Sequence, residues 1–186
     1  MIDLIINRRS IRKYLKKDID DSIIKQIINC GRNAPFGGKP IPTCQVTEYI
    51  IIKEKEIKDK LALNYEDRQF IKNAPVIIAI LANKENDPKY KEYILSSALA
   101  MENMIIGAHS LGLGTCILSC FINHEKHEED KNILRDVLKL PNNIELVALL
   151  TLGYKDESET IIEKELREFD DVVSYNYYSM KRRFLW

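Results

Sequence analysis

Two stretches of this chain, Pro75–Leu81 (PVIIAIL) and Ile144–Gly153 (IELVALLTLG), are apolar almost without interruption. A strand with one wet face alternates apolar and polar side chains, so unbroken runs like these belong to a sheet covered on both faces. Gln45–Lys53 (QVTEYIIIK), rich in β-branched and aromatic residues, reads as a further strand. Thr115–Ser119 is a shorter apolar segment, and only about four strands are visible in the pattern.

Helices supply the cover. Residues 3–9 read as a short helix with Leu4, Ile5 and Ile6 facing inward. Asp20 or Asp21 caps a second, in which Ile23, Ile24, Ile27 and Ile28 recur at helical spacing and which ends near Gly31. Glu54–Leu63 makes a third, with Ile57, Leu61 and Leu63 on its apolar face. Asp87-Pro88 opens a long helix, Asp offering a capping oxygen and Pro standing where no N–H is needed, and Gly112 closes it after Leu111. Its second half is apolar on more than one face, as in a helix buried inside a domain or between two subunits. Asp130–Leu140 is another helix. The mixture is α/β or α+β with helices on a mainly buried sheet. With no internal repeat and no linker, residues 1–186 are expected to form a single domain. The tail Phe169–Trp186 carries Tyr175, Tyr177, Tyr178, Phe184 and Trp186 beyond the last core strand. So many aromatics need a surface to cover, and a neighbouring subunit supplies one.

The 28 basic and 28 acidic residues balance, so nothing draws the whole chain to nucleic acid or anionic lipid. Any anion site has to be a local cluster. Cys30, Cys44, Cys116 and Cys120 show no C-x-x-C spacing. Zinc and a disulfide framework are disfavoured, and free thiols in a reducing compartment are expected. The segment MIDLIINRRSIRKY has no apolar leader core and no apolar run reaches bilayer length, so the expectation is a cytoplasmic protein without a membrane span.

Arg8-Arg9-Ser10-Ile11-Arg12, with Tyr14 beyond, places three guanidinium groups and a hydroxyl at the exit of the first helix. Planar Arg forks match phosphate oxygens and Ser adds a short donor; taken alone, the cluster is also what a solvated basic turn looks like. His124-Glu125-Lys126-His127-Glu128 resembles a metalloprotease helix, but its histidines are three apart rather than four. A solvated acidic loop leading into the 130–140 helix is the simpler reading, with a metal-dependent hydrolase as the class it opposes. His109, on an apolar helix, reads as an interior histidine, and nothing near Cys116 or Cys120 activates a thiolate.

In their order, R-R-S-I-R-x-Y, a helix ending in an Ala-Pro loop, TEYIII, APVIIAI, the long buried helix, LGLGTC, VALLTLGY and YNYY make the chain resemble the FMN-dependent nitroreductase family over residues 3–178. The resemblance implies an α+β fold, a three-layer α/β/α sandwich around a central mainly antiparallel sheet, in an intertwined homodimer. It implies two FMN sites at the dimer interface, each lined by both chains, with residues 169–186 as an arm on the partner. Arg8, Ser10 and Arg12 would take the phosphate and ribityl contacts, and Arg9 at least a backbone contact. The stretch containing Leu118 would pass beside the flavin ring, with the backbone N–H groups of Ser119 and Cys120 facing flavin N5 and O4. Many relatives have Gly-Gly where this chain has Ser119-Cys120. The partner's copy of the Ala34–Pro42 loop would cover the flavin, bringing Pro35, Phe36, Gly37 and Lys39 to it. That loop departs from the family's A-P-S-x-x-N-x-Q-P-W at Phe36, Lys39, Ile41 and Thr43, which bears on the acceptor more than on the cofactor. Phe36 either packs on the flavin or joins the core, and Lys39 either meets the pyrimidine edge or stays solvated. Lys164 or Arg167 would add a cation for the phosphate. Asp67 and Asn73 flank a position that touches the ribityl chain or the pyrimidine edge.

The implied activity is hydride transfer from NADH or NADPH through flavin N5 to a small organic acceptor such as a nitroaromatic or a quinone, in ping-pong order. The protein supplies orientation and electrostatics, and no side chain serves as a general base. A different class of reading is a flavin-binding storage or redox-sensing module with little turnover, which the altered 36–43 loop keeps open.

Overall fold

The computed structural model describes residues 1–37, 41, 44–62, 69–87, 92–120 and 125–178, the side chains of 125–130 excepted. Its elements run α1 (Ile2–Ile6), α2 (Asp21–Arg32), β1 (Thr47–Ile52), α3 (Lys55–Ala62), α4 (Phe70–Asn73), β2 (Val76–Asn83), α5 (Tyr93–Ser110), β3 (Leu113–Ser119), α6 (Glu125–Val137), β4 (Ile144–Tyr154) and α7 (Phe169–Val172). A 3-10 turn, Lys84–Asn86, follows β2. The four strands pair in the order β1-β2-β4-β3, every neighbour antiparallel.

Side chains alternate across β2 and divide the core. Val76, Ile78, Ile80 and Ala82 point to the face that packs Ile24 and Ile27 of α2 and Met104, Ile105 and Ala108 of α5. Ile77, Ala79 and Leu81 point to the opposite face, with Leu61 of α3, Ile71 of α4 and Leu134 of α6. Both faces are dry, which explains why β2 and β4 carry no polar alternation. The chain is a three-layer α/β/α sandwich, as the resemblance implies. The register of β2 on β4 shifts between Ile80 and Leu81, which pair with Ala148 and Leu146 and leave Val147 as the extra residue of a bulge.

Local chemistry accounts for most boundaries. The Asp20 carboxylate accepts from Ser22 N–H at 2.7 Å and starts α2, holding its own carboxyl below the ordinary range. Asp87 acts over a longer reach than a simple cap, since its carboxylate accepts from Glu92 N–H at 2.5 Å and α5 begins at Tyr93. Gly112 adopts φ 77° and turns the chain from α5 into β3.

Two expectations are corrected. Ile5 and Ile6 are exposed rather than inward-facing, because α1 is a single turn lying against α5 and has no layer above it within one chain. The acidic loop expected before residue 130 is helical from Glu125, so His127 and Glu128 belong to α6. Glu and Lys are strong helix formers and need no apolar face to start a surface helix.

Candidate functional site

After α1 the chain runs extended and lies along the open edge of β3. Ile11 N–H donates to Thr115 O at 2.8 Å, Leu15 N–H donates to Tyr154 O at 2.9 Å, and Ser10 and Tyr14 form isolated bridges with Thr115 and Lys155. Tyr14 fastens this segment from beneath. Its buried hydroxyl donates to Ile11 O and lies 2.7 Å from Thr151 Oγ1, which is within reach of Cys116 O at 3.0 Å. Burial pushes the Tyr14 phenol well above its ordinary range and raises the Cys116 thiol too. The segment can lie flat because residue 114 is glycine: a Cβ there would stand 2.6 Å from Ile11 Cβ.

This arrangement encloses a cavity of about 270 Å³ between Arg8, Arg9 and the backbone of Gly112–Thr115, with His109 from the last turn of α5 and Lys155 from the exit of β4 on its walls. No carboxylate lines it among the described residues. Arg9 closes α1 by donating from Nη1 to Ile6 O at 2.8 Å and Arg8 O at 2.9 Å, while its Nε is buried without a hydrogen-bond partner. Arg8 Nε lies 3.9 Å from Glu102 Oε1, a weak constraint on a group otherwise facing the cavity.

The remaining candidates divide. Ser10 sits at the bridge to Thr115, beside the Cys116 thiol. Arg12 does not line the cavity: its guanidinium lies 5.9 Å from the Phe70 ring centroid, while its backbone N–H donates to Glu159 Oε1 at 3.0 Å. Alternation along β3 points the backbone groups of Thr115, Ile117 and Ser119 to the open edge and those of Leu118 and Cys120 toward β4. The Cys120 amide is therefore not the free donor expected, because it donates to Val147 O at 3.1 Å, whereas Ser119 is exposed at the edge. Gly37 N–H donates to Ser96 Oγ at 3.2 Å near the start of α5, while Phe36 is half-buried and Pro35 exposed. Arg167 donates to Asp171 O at 2.7 Å across α7, and neither it nor Lys164 lines the cavity. Asn73 borders a different recess. Lys39, Asp67 and His124 lie outside the described residues. His109, expected as an interior histidine, is half-buried on the cavity wall, and Lys155 is a cavity residue that no sequence motif marks. The only signal for His109 is a basic side chain three residues before a turn glycine.

Fold and cavity together define an α+β protein with a cationic half-pocket at a sheet edge. The profile described as "Nitroreductase family" matches residues 5–65 and 62–154, and the chain belongs to that family. It is 29% identical over 175 residues to an Archaeoglobus fulgidus protein named "Putative NADH dehydrogenase/NAD(P)H nitroreductase", covering 91% of each chain. Among solved structures, an FMN-dependent nitroreductase from Clostridium difficile R20291 superposes with a TM-score of 0.80 at 26% identity, covering 95% of this chain and 100% of that one. An NADPH:FMN oxidoreductase from Vibrio harveyi, complexed with NAD+, superposes with a TM-score of 0.79 at 21% identity, over 97% and 79% of the two chains.

Proposed function

We propose that this chain is an FMN-dependent oxidoreductase that takes hydride from NAD(P)H and delivers it, in ping-pong order, to a small organic acceptor such as a nitroaromatic or a quinone. The observation that carries the reading is the cavity: Arg8, Arg9, His109 and Lys155 surround it without a lining carboxylate among the described residues, and Arg9 Nε is buried with its proton unmatched. Those residues fit the phosphate of FMN, a dianion able to satisfy an orphaned donor. When bound, FMN supplies two-electron chemistry that no side chain can.

The chain's own part is to hold and orient. Arg8 and Arg9 grip the phosphate, and Tyr14 and Gly114 fix the backbone that carries them. The edge N–H of Ser119 lies four residues along β3 from Thr115, about 13 Å at the strand rise, and is available to a flavin ring reached from that grip. A volume of about 270 Å³ takes only part of a flavin nucleotide. Further walls come from a second copy, which also covers Ile6, Leu95 and Tyr177, exposed by 62%, 58% and 87%.

The test is anaerobic mixing of the purified, FMN-loaded protein with NADH or NADPH. Rapid bleaching of the flavin colour by either donor, and its return on adding a quinone, is expected. A bound flavin that neither donor bleaches would favour the storage or sensing module instead.

A further inference from the structure

Past Tyr14 the same segment borders a second, larger recess of about 510 Å³ that shares no lining residue with the arginine cavity. Its rim carries Lys16 and Lys17 from the segment itself, Lys53 from the end of β1 and Lys58 from α3, against the single carboxylate of Asp18. In a chain whose charges balance, this concentration is local. Lys53 pairs with Asp21 at 2.5 Å, and the Lys17 ammonium lies 4.0 Å from the Tyr154 ring centroid. The other two have no carboxylate of their own. Lys58 Nζ, half-buried, is held by the carbonyls of Ala74 at 2.9 Å and Pro75 at 3.3 Å, with Asp18 and Asp59 acting on it only through space and Asp59 paired to Lys72 at 3.7 Å. Lys16 has no polar partner among the described residues. Between the lysines the apolar surface on offer is that of the exposed Leu15 and the half-buried Pro75, over the closed backing of Ile19, Ala74 and Val76.

We propose that this recess binds a small organic phosphate, its phosphate charges on the lysine rim and its ring against Leu15 and Pro75. Ammonium groups on flexible stems act as point charges, and several of them together suit the multiple charges of a phosphate chain. The volume is in the range of small-molecule sites.

Calorimetric titration of ADP into the flavin-loaded protein tests it. Saturable binding of one ADP per chain is expected, with adenosine giving none. Lys16→Gln and Lys58→Gln should each weaken binding about tenfold, while Arg8→Ala leaves it unchanged. Lys16 is exposed, so Lys16→Gln keeps the test valid should the Lys58 variant fold poorly. No saturable binding, or binding that Arg8→Ala abolishes and Lys16→Gln does not touch, overturns the proposal. Should the protein refuse FMN, the same titration on the flavin-free chain still decides this site, since none of its residues belongs to the arginine cavity.

Discussion

At the scale of single residues, the two guanidinium groups flanking Ser10 are not equivalent. Arg8 faces the cavity and Arg12 stacks toward Phe70. Arg8→Ala should therefore weaken FMN binding by roughly 1.5–3 kcal/mol, the worth of a charge-assisted contact, and Arg12→Ala by clearly less. Quenching of flavin fluorescence during titration measures both, and equal losses would put the phosphate elsewhere. Tyr14→Phe leaves the buried Ile11 carbonyl without its hydroxyl donor and should lower unfolding stability by about 1–3 kcal/mol, read from urea melts. Cys116 and Cys120 are buried, and burial raises the Cys116 thiol, so iodoacetamide should leave both unmodified in the native protein and label them after denaturation. Native-state labelling of Cys116 at mildly alkaline pH, read by mass spectrometry, would contradict that placement. The arginine cluster was visible in the sequence because it is contiguous. His109 and Lys155 were not, since they meet it only through the turn at Gly112 and the Tyr14–Lys155 bridge.

At the scale of elements, the apolar runs and capping residues made β2, β4, α2 and much of α5 legible. The phase of β3 was not. Which of its amides face the edge depends on pairing with β4, and the Cys120 amide is engaged by Val147, the bulge residue. No periodicity in residues 115–120 reports that bulge. The start of α6 was missed for a different reason: its first turn is charged, and the sequence reading looked for an apolar face. The cap of α2 gives a pH test. The Asp20 carboxyl has a folded value below its ordinary 3.8, so its contribution is complete above that value and is lost as pH falls through the lowered one. Wild type and Asp20→Ala should differ in urea midpoint at neutral pH and converge in strong acid. A difference that persists in strong acid would mean that something other than the Asp20 carboxylate starts this helix.

At the scale of the whole molecule, the described chain leaves apolar side chains uncovered on α1, α5 and the tail beyond residue 160. The Phe36–Gly37 loop packs at Ser96, and the cavity lies at His109, thirteen helical residues or about 20 Å further along α5. A flavin contacting both regions is most simply shared between two chains. The homodimer reading makes deletion of residues 169–186 a direct perturbation: size exclusion should show a shift toward monomer and loss of retained flavin. A truncated protein that stays dimeric and yellow would remove the tail from the interface. The most direct check on the whole proposal is sedimentation of the pure protein followed at the flavin's visible absorbance and at the protein's ultraviolet absorbance. One FMN per chain should move with a particle of twice the chain's 21.6 kDa. A colourless particle that takes up no added FMN, or a flavin travelling with a single chain, would contradict it.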